Sequence, residues 1–244
     1  TRFFDDVNVT PESTNIPGRR NLRVAVKEAR TGNLTFGAGF SSLERAVVFA
    51  EITQSNFDLF NRKSFFQGDG QKFRLRMQLG SQSSEVILAF EEPWLFEREL
   101  ALGFQLFRTS SDYQSAYYEE IRTGGQIYLR KRLFGLVEGT GTYTYEVVDI
   151  DNVDPTPPPR HPPHPRQTAN IQEGVSRHPA PRPKINNTTS GNRMELITEV
   201  AGGPIGGDAD YYRLEFRGSQ LFPVFEFQEQ VLSLLARAGV VENY

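Results

Sequence analysis

The chain contains no cysteine, and that absence excludes several kinds of site at once. Disulfide frameworks, cysteine-ligated zinc and thiol catalysis all depend on this residue. An excess of one charge is missing as well, because 27 basic residues stand against 30 acidic ones and leave a net charge of −3. Such a balance gives no indication of nucleic-acid binding, which requires a clustered basic surface.

Long hydrophobic runs are also missing. The longest unbroken apolar runs, Ala46–Ala50 and Val86–Phe90, have five residues each, whereas a transmembrane helix needs about 20 mostly apolar residues. A membrane β-barrel never needs such a run, because its strands alternate between apolar and polar residues. The first residues, Thr1–Asp6, lack both the charged start and the apolar core of a signal peptide. Because they already have the character of a strand, we expect the chain to be a fragment of a longer protein.

The pattern that is present has a period of two. Lys72–Leu79 alternates polar and apolar residues over eight positions without a break, and only an extended strand places the two sets on opposite faces. About ten such segments follow one another between Gly32 and Tyr244, and none shows a helical apolar stripe. The short links between them indicate antiparallel neighbours, so the sequence predicts an all-β antiparallel meander.

A meander of this kind has two common solutions, a soluble barrel or sandwich with apolar residues inside and a transmembrane β-barrel with apolar residues outside. Many strands here have 9–12 residues, which is enough to cross a bilayer when tilted. Charged residues in mid-strand and aromatic residues at strand ends also favour the transmembrane barrel. In that barrel the residues of one representative strand divide as follows: Phe73, Leu75, Met77 and Leu79 face outward, and Arg74 and Arg76 face the lumen.

Two segments do not fit the meander. Near the N-terminus, Phe3–Val9 and Asn21–Glu28 form a predicted strand pair around the loop Pro11–Arg20. Asp154–Lys184 holds ten of the fifteen prolines and all three histidines. Proline lacks the donor that a ladder needs, so Asp154–Lys184 is predicted to be irregular and to lie outside the sheet wall. There we expect either a gap in the sheet or a short strand drawn from the proline-free Ala169–Arg177.

Several short motifs occur in a recognisable order. At one junction, Phe4–Val9, Leu22–Glu28 and Thr31–Ser41 follow one another. Four further segments lie downstream: Asn56–Phe57 with Gly68–Gly70, Glu92–Phe96, Thr188–Arg193 and Gly206–Tyr212. The colinear set resembles BamA-like outer-membrane assembly factors, the bacterial surface antigen family. In that family the junction is similar to the entry from the last polypeptide-transport-associated (POTRA) repeat into the first barrel strand, and the other segments resemble successive turns and loops.

The resemblance implies about ten strands of a sixteen-stranded transmembrane β-barrel, preceded by a POTRA-tail strand pair. It divides the chain into four parts: the end of a POTRA repeat (1–30), barrel strands one to seven (31–153), a proline-rich irregular insert that replaces the eighth strand (154–187), and strands nine to eleven (188–244). The insert is either a genuine extracellular loop or a sequence error. Because strand number and diameter are linked, we expect an open, curled sheet with Gly32–Phe40 at one edge and Gln230–Val241 near the other.

The resemblance also implies a function, that of a non-enzymatic factor that inserts and folds client β-barrel proteins in the bacterial outer membrane. The N-terminal segment would lie in the periplasm, and the partners would be unfolded clients, outer-membrane lipoproteins of the assembly complex and the lipid bilayer. The candidate site is a lateral gate in the first barrel strand, where a client strand would pair: Gly32, Leu34, Phe36, Gly37, Ala38, Gly39 and Phe40. A two-partner secretion or autotransporter-assembly pore, or a passive porin-like channel, is the alternative.

No catalytic, metal or cofactor site is predicted. The three histidines, His161, His164 and His178, all lie in the proline-rich segment, where no rigid structure would position them. The two residues within each adjacent acidic pair, Glu91–Glu92 and Glu119–Glu120, would point to opposite faces of a strand and could not act together.

The two glycines of the candidate site, Gly37 and Gly39, have a second interpretation, which is a bend that curves the barrel wall.

Overall fold

The computed structural model describes residues 3–16, 18–42, 45–112, 118–152, 166–177, 191–225 and 230–244. The strands within these ranges are β1 (Phe4–Ser13), β2 (Arg20–Glu28), β3 (Gly32–Ser41), β4 (Arg45–Phe57), β5 (Gln71–Gly80), β6 (Ser83–Glu92), β7 (Leu100–Ser111), β8 (Glu119–Phe134), β9 (Val137–Asp151), β10 (Arg166–Arg177), β11 (Gly191–Ala201), β12 (Tyr211–Phe225) and β13 (Gln230–Asn243). Single-turn 3₁₀ helices lie at Arg62–Ser64, Leu95–Glu97 and Gly203–Ile205. In the described part of the chain no helix is long and apolar enough to cross a membrane.

The strands form two sheets. β1 and β2 make an antiparallel pair, and β3 to β13 make an eleven-stranded sheet in which each strand pairs with its sequence neighbours. The prediction of an all-β antiparallel meander is confirmed. The sheet is open, with β3 at one edge and β13 at the other, as expected for Gly32–Phe40 and Gln230–Val241. The strand pair before it is confirmed as well, but its strands extend into the predicted loop Pro11–Arg20, since β1 ends at Ser13 and β2 begins at Arg20. The assignment of the pair to a POTRA repeat stays a prediction.

The proline-rich insert is the main correction. Part of it, Arg166–Arg177, forms the twelve-residue strand β10, which pairs antiparallel with β9 on one side and with β11 on the other. The prediction that all of 154–187 is irregular and replaces a strand is therefore wrong, and the sheet has no gap there. A strand from Ala169–Arg177 was the alternative, and β10 is three residues longer at its start. The segments around it that carry the prolines and the histidines, 153–165 and 178–190, lie outside the described residues.

The start of β10 is held by the turn that follows β11. The backbone N–H of Gln167 donates to Oδ2 of Asp208 at 2.8 Å, and the N–H of Asp208 donates to the carbonyl of Gln167 at 2.7 Å. Thr168 and Gly207 form an additional antiparallel bridge. β10 contains no proline, so every residue in it can donate to a ladder. The proline content of the surrounding segment concealed a strand whose own composition is ordinary.

The two faces of the large sheet differ in chemistry and in exposure. Met77 and Leu79 are 47% and 61% exposed, whereas carboxylates on the opposite face are nearly buried, with Glu199 at 5% and Glu215 at 3%. Side chains on the concave side of a curled sheet crowd one another, so the charged face is the concave one. We call it the inner face and the apolar one the outer face. A soluble barrel has the reverse arrangement, with its apolar residues buried.

β5, the strand whose alternation was analysed in the sequence, follows this division into an inner and an outer face. Arg74 and Arg76 lie on the inner face, where their guanidinium groups bond to Glu51 at 3.0 and 3.3 Å. Phe73 and Leu75 are half-buried on the outer face beside the more exposed Met77. The predicted separation of the apolar and basic residues onto opposite faces is confirmed.

Candidate functional site

The candidate site is the edge strand β3. Every residue from Gly32 to Ser41 pairs with β4, from Gly32 opposite Gln54 to Ser41 opposite Arg45, with no shift of register. Three outer-face side chains of β3 are largely exposed, with Leu34 at 62%, Phe36 at 78% and Phe40 at 88%. No strand in the described part of the chain pairs with the other side of β3.

The direction of the backbone groups of β3 follows from one hydrogen bond. The N–H of Ser55 donates to the carbonyl of Thr31 at 3.2 Å, which makes Thr31 a hydrogen-bonded partner of β4. Hydrogen-bonded and non-hydrogen-bonded positions alternate along an antiparallel pair. Odd-numbered residues of β3 therefore direct their N–H and C=O groups toward β4. Even-numbered residues direct theirs toward the open edge: Gly32, Leu34, Phe36, Ala38 and Phe40.

The structure thus divides the seven predicted site residues into two groups. Five of them offer backbone groups at the open edge, whereas Gly37 and Gly39 use theirs in the ladder with β4. Neither glycine has a positive φ angle, and neither lies at a bulge. Gly37 has a steric reason instead, because a Cβ there would lie 2.7 Å from the ring of Phe49 on β4. The sequence offers no signal for Phe49, since its partner across the strands is set by the register.

A network of charged groups connects β5, β6 and β8 on the inner face of the same sheet. Glu91 at the end of β6 is 9% exposed. Its Oε1 accepts a hydrogen bond from Nζ of Lys72 at 2.7 Å, and its Oε2 accepts from the hydroxyl of Tyr128 at 2.5 Å and from Nη2 of Arg130 at 2.9 Å. Tyr128 lies against Gly103, where an added Cβ would overlap its ring. One carboxylate therefore connects β5, β6 and β8 across β7.

Substituting Glu91→Ala in the full-length protein is expected to lower the free energy of unfolding by about 2 kcal/mol. Removing one partner of a buried ion pair costs about 3–5 kcal/mol, and the half-exposed side chain of Lys72 reduces this through solvent screening. Denaturant unfolding in detergent micelles measures the change. The control is Glu12→Ala, which removes the exposed ion pair with Arg23 and is expected to cost less than about 1 kcal/mol. Equal costs for the two variants would contradict the bracing role of Glu91.

The turns after β4 and β6 meet at the same end of the sheet. Gln71, which is 4% exposed, donates from its side-chain amide to Asp69 and to Glu92, both at 2.9 Å. Loss of hydration, together with the nearby carboxylates of Glu92 and Asp58, raises the pKa of Asp69. A cleft of about 700 Å³ separates these turns from Phe3 and the start of β1. The two turn motifs noted in the sequence are therefore neighbours in space, and Gln71, which the sequence did not single out, connects them.

Within the described ranges, no three side chains of the histidine, cysteine, aspartate or glutamate type come together in a way that could hold a metal ion. The three histidines lie outside those ranges. That the chain has no catalytic residue, metal or cofactor stays a prediction.

Comparison with known proteins adds three findings. The model of the Omp85 superfamily domain matches residues 66–244. The outer membrane protein assembly factor BamA of Nitratidesulfovibrio vulgaris is 26% identical over 232 residues, which cover 93% of this chain and 26% of that protein. The crystal structure of BamA from Haemophilus ducreyi lacking POTRA domains 1–3 superposes with a TM-score of 0.72 at 20% identity, covering 99% of this chain and 47% of that one. The chain spans about a quarter of the curated relative, and the likeness to the crystal structure is one of fold.

Proposed function

Because the chain belongs to the Omp85 superfamily, we propose that it is part of an outer-membrane protein assembly factor whose edge strand β3 receives the strands of client proteins. The observation that supports the proposal is the position of β3 as the first strand of the sheet, where five residues direct their backbone groups away from β4. The name of the curated relative, an outer membrane protein assembly factor, agrees with it.

The physical basis is the cost of unpaired backbone groups in a membrane. Each N–H or C=O without a partner costs several kcal/mol of free energy in hydrocarbon. Pairing between an open strand edge and an unfolded client strand removes this cost for both of them. Pairing through the backbone makes few demands on the sequence of the client. An edge that works in this way serves many different clients, and the protein needs no catalytic group.

The same proposal assigns a location and partners to each part of the chain. The outer face contacts the lipid bilayer of the bacterial outer membrane, and the strand pair of β1 and β2, as the end of a POTRA repeat, lies in the periplasm. Partners are unfolded β-barrel clients and the outer-membrane lipoproteins of an assembly complex. A secretion pore or a passive channel of the same superfamily has no need of an edge that pairs with clients, and this difference is measurable.

A photocrosslinking experiment tests the proposal. Phe36 and Phe216 are both outer-face phenylalanines, 78% and 42% exposed, but β3 is an edge strand and β12 is paired on both sides. Benzoylphenylalanine replaces one or the other in the full-length protein, and a client stalled during insertion is added. Crosslinks to the client are expected at 36 and not at 216. Equal crosslinking at the two positions, or none at 36 together with a stable ion conductance, would overturn the proposal in favour of a channel.

A further inference from the structure

On its inner face, β3 has few large side chains that could pack against the neighbouring strand. The inner-face residues are small: Asn33, Thr35, Gly37 and Gly39. The space above Gly37 is occupied by the ring of Phe49, its direct partner on β4, whose Cε1 would lie 2.7 Å from an added Cβ. Gly39 differs, since its added Cβ would meet Cγ1 of Val47 at an ordinary 3.5 Å. Phe49 is therefore the large inner-face side chain that packs directly on β3.

Phe49 is in turn held from the next strands. The guanidinium group of Arg76 on β5 lies 5.7 Å from the centre of the Phe49 ring, within the range of a cation–π interaction. The same guanidinium bonds to Glu51 of β4 at 3.3 Å and lies 3.6 Å from the carboxylate of Glu85 on β6. A continuous chain of contacts thus runs from β3 across β4 and β5 to β6.

The two faces of β3 contribute unequally to its attachment. Outer-face contacts such as Leu34 with Ile52 exchange lipid for another apolar group, and lipid tails are as apolar as leucine, so little is gained. Each glycine in a strand costs roughly 0.5–1 kcal/mol. An aromatic ring packed over a glycine in the neighbouring strand offsets that loss. On the inner face, the contact between Phe49 and Gly37 is therefore the aromatic contact that attaches β3 to β4.

We propose that Phe49 is a positioning residue, which together with Gly37 and Arg76 forms a joint that keeps β3 in register with β4 while the open edge of β3 pairs with a client strand. This inference rests on the proposed function and deepens it. A strand that is paired on one side frays easily, and a frayed strand presents no ordered row of donors and acceptors. The joint keeps that row straight without occupying any backbone group at the open edge.

The first consequence of the proposal is that loss of the joint loosens the pairing of β3 with β4, which hydrogen exchange in the full-length protein in detergent micelles measures. Phe49→Ala is expected to accelerate amide exchange in 32–41 by about three- to tenfold, from the usual strength of an aromatic cross-strand contact, and to leave β7–β13 unchanged. Gly37→Ala is expected to act in the same direction, because its Cβ displaces the ring. Gly39→Ala, with room for a methyl group, is expected to leave exchange unchanged, as is Val47→Ala. Unaltered exchange in both Phe49→Ala and Gly37→Ala would overturn the joint.

The second consequence is that a loosened β3 slows the assembly of client proteins, which is measured as the assembly rate with the same variants. Phe49→Ala is expected to slow it by about the factor seen in exchange, Phe49→Tyr to restore it because the ring is kept, and Val47→Ala to leave it unchanged. Faster exchange with a normal assembly rate would overturn the positioning role and leave the proposed function standing. The proposed function fails by a different readout in a protein that keeps Phe49: equal client crosslinking at 36 and 216, or no crosslinks at 36 together with a stable ion conductance. Either result also removes the role proposed for Phe49.

Discussion

Replacing Ala38 with proline is expected to slow client assembly at least tenfold. The N–H of Ala38 is directed to the open edge of β3 by the alternation that the bond between Ser55 and Thr31 establishes. Proline removes that donor and leaves the ladder with β4 intact, which is the position in a strand where proline is tolerated. A client carbonyl then stays unpaired in the membrane, at a cost of several kcal/mol.

Two comparisons isolate the backbone effect. Ala38→Val changes the outer-face side chain and keeps the donor, so its assembly rate is expected to stay within about twofold of the original. Exchange protection of the odd-numbered amides of β3 reports whether the ladder with β4 survives in the proline variant. Assembly at the normal rate by Ala38→Pro, with that ladder intact, would show that clients do not pair with this edge. The rate of insertion of a barrel substrate into liposomes is the measurement.

Replacing Leu106 with arginine is expected to destabilise the inserted protein by about 2–4 kcal/mol, the cost of a cation near the middle of the lipid-facing surface. Leu106 lies in the middle of β7 and is 53% exposed on the outer face. The neighbouring Gln105 points to the inner face, where it is half-buried and lies directly opposite Gln126 of β8. Gln105→Arg introduces the same charge one residue away and is expected to cost less than about 1 kcal/mol, since the lumen is polar.

Denaturant unfolding in lipid vesicles compares the two arginine variants. Because successive residues of a strand point to opposite faces, the pair tests which face contacts lipid without changing the position along the barrel. Equal costs would mean that neither face is in lipid. A larger cost for Gln105→Arg would reverse the assignment of the faces and indicate a barrel with its apolar residues inside.

Local features of the sequence were enough for much of the fold. The alternation in Lys72–Leu79 required a strand with one apolar and one charged face, because the side-chain period of a strand is two. Short links such as Ser81–Gln82 between β5 and β6 made sequence neighbours into antiparallel partners. The family resemblance, and not the local pattern, implied about ten strands of a sixteen-stranded barrel and hence two open edges, and β3 and β13 are those edges.

β10 was hidden for a different reason. The composition of Asp154–Lys184, averaged over its length, argued against a strand, while Arg166–Arg177 itself has no proline. The strand is completed by partners on both sides and by Asp208 in a turn some forty residues later, at 2.8 Å from the N–H of Gln167. Pairing of this kind depends on residues far apart in the chain, so the composition of one segment does not reveal it.

The sequence by itself determined the strand class, the order of the strands other than β10 and the chemistry of the two faces, because all three follow from the alternation of residues and the length of the links. Only the tertiary structure decided which backbone groups of β3 point away from β4, why Gly37 has no side chain, and which charged groups surround Glu91. Each of these depends on the register between neighbouring strands, since a shift of one residue would turn Phe49 away from Gly37 and place every side chain of β3 on the other face.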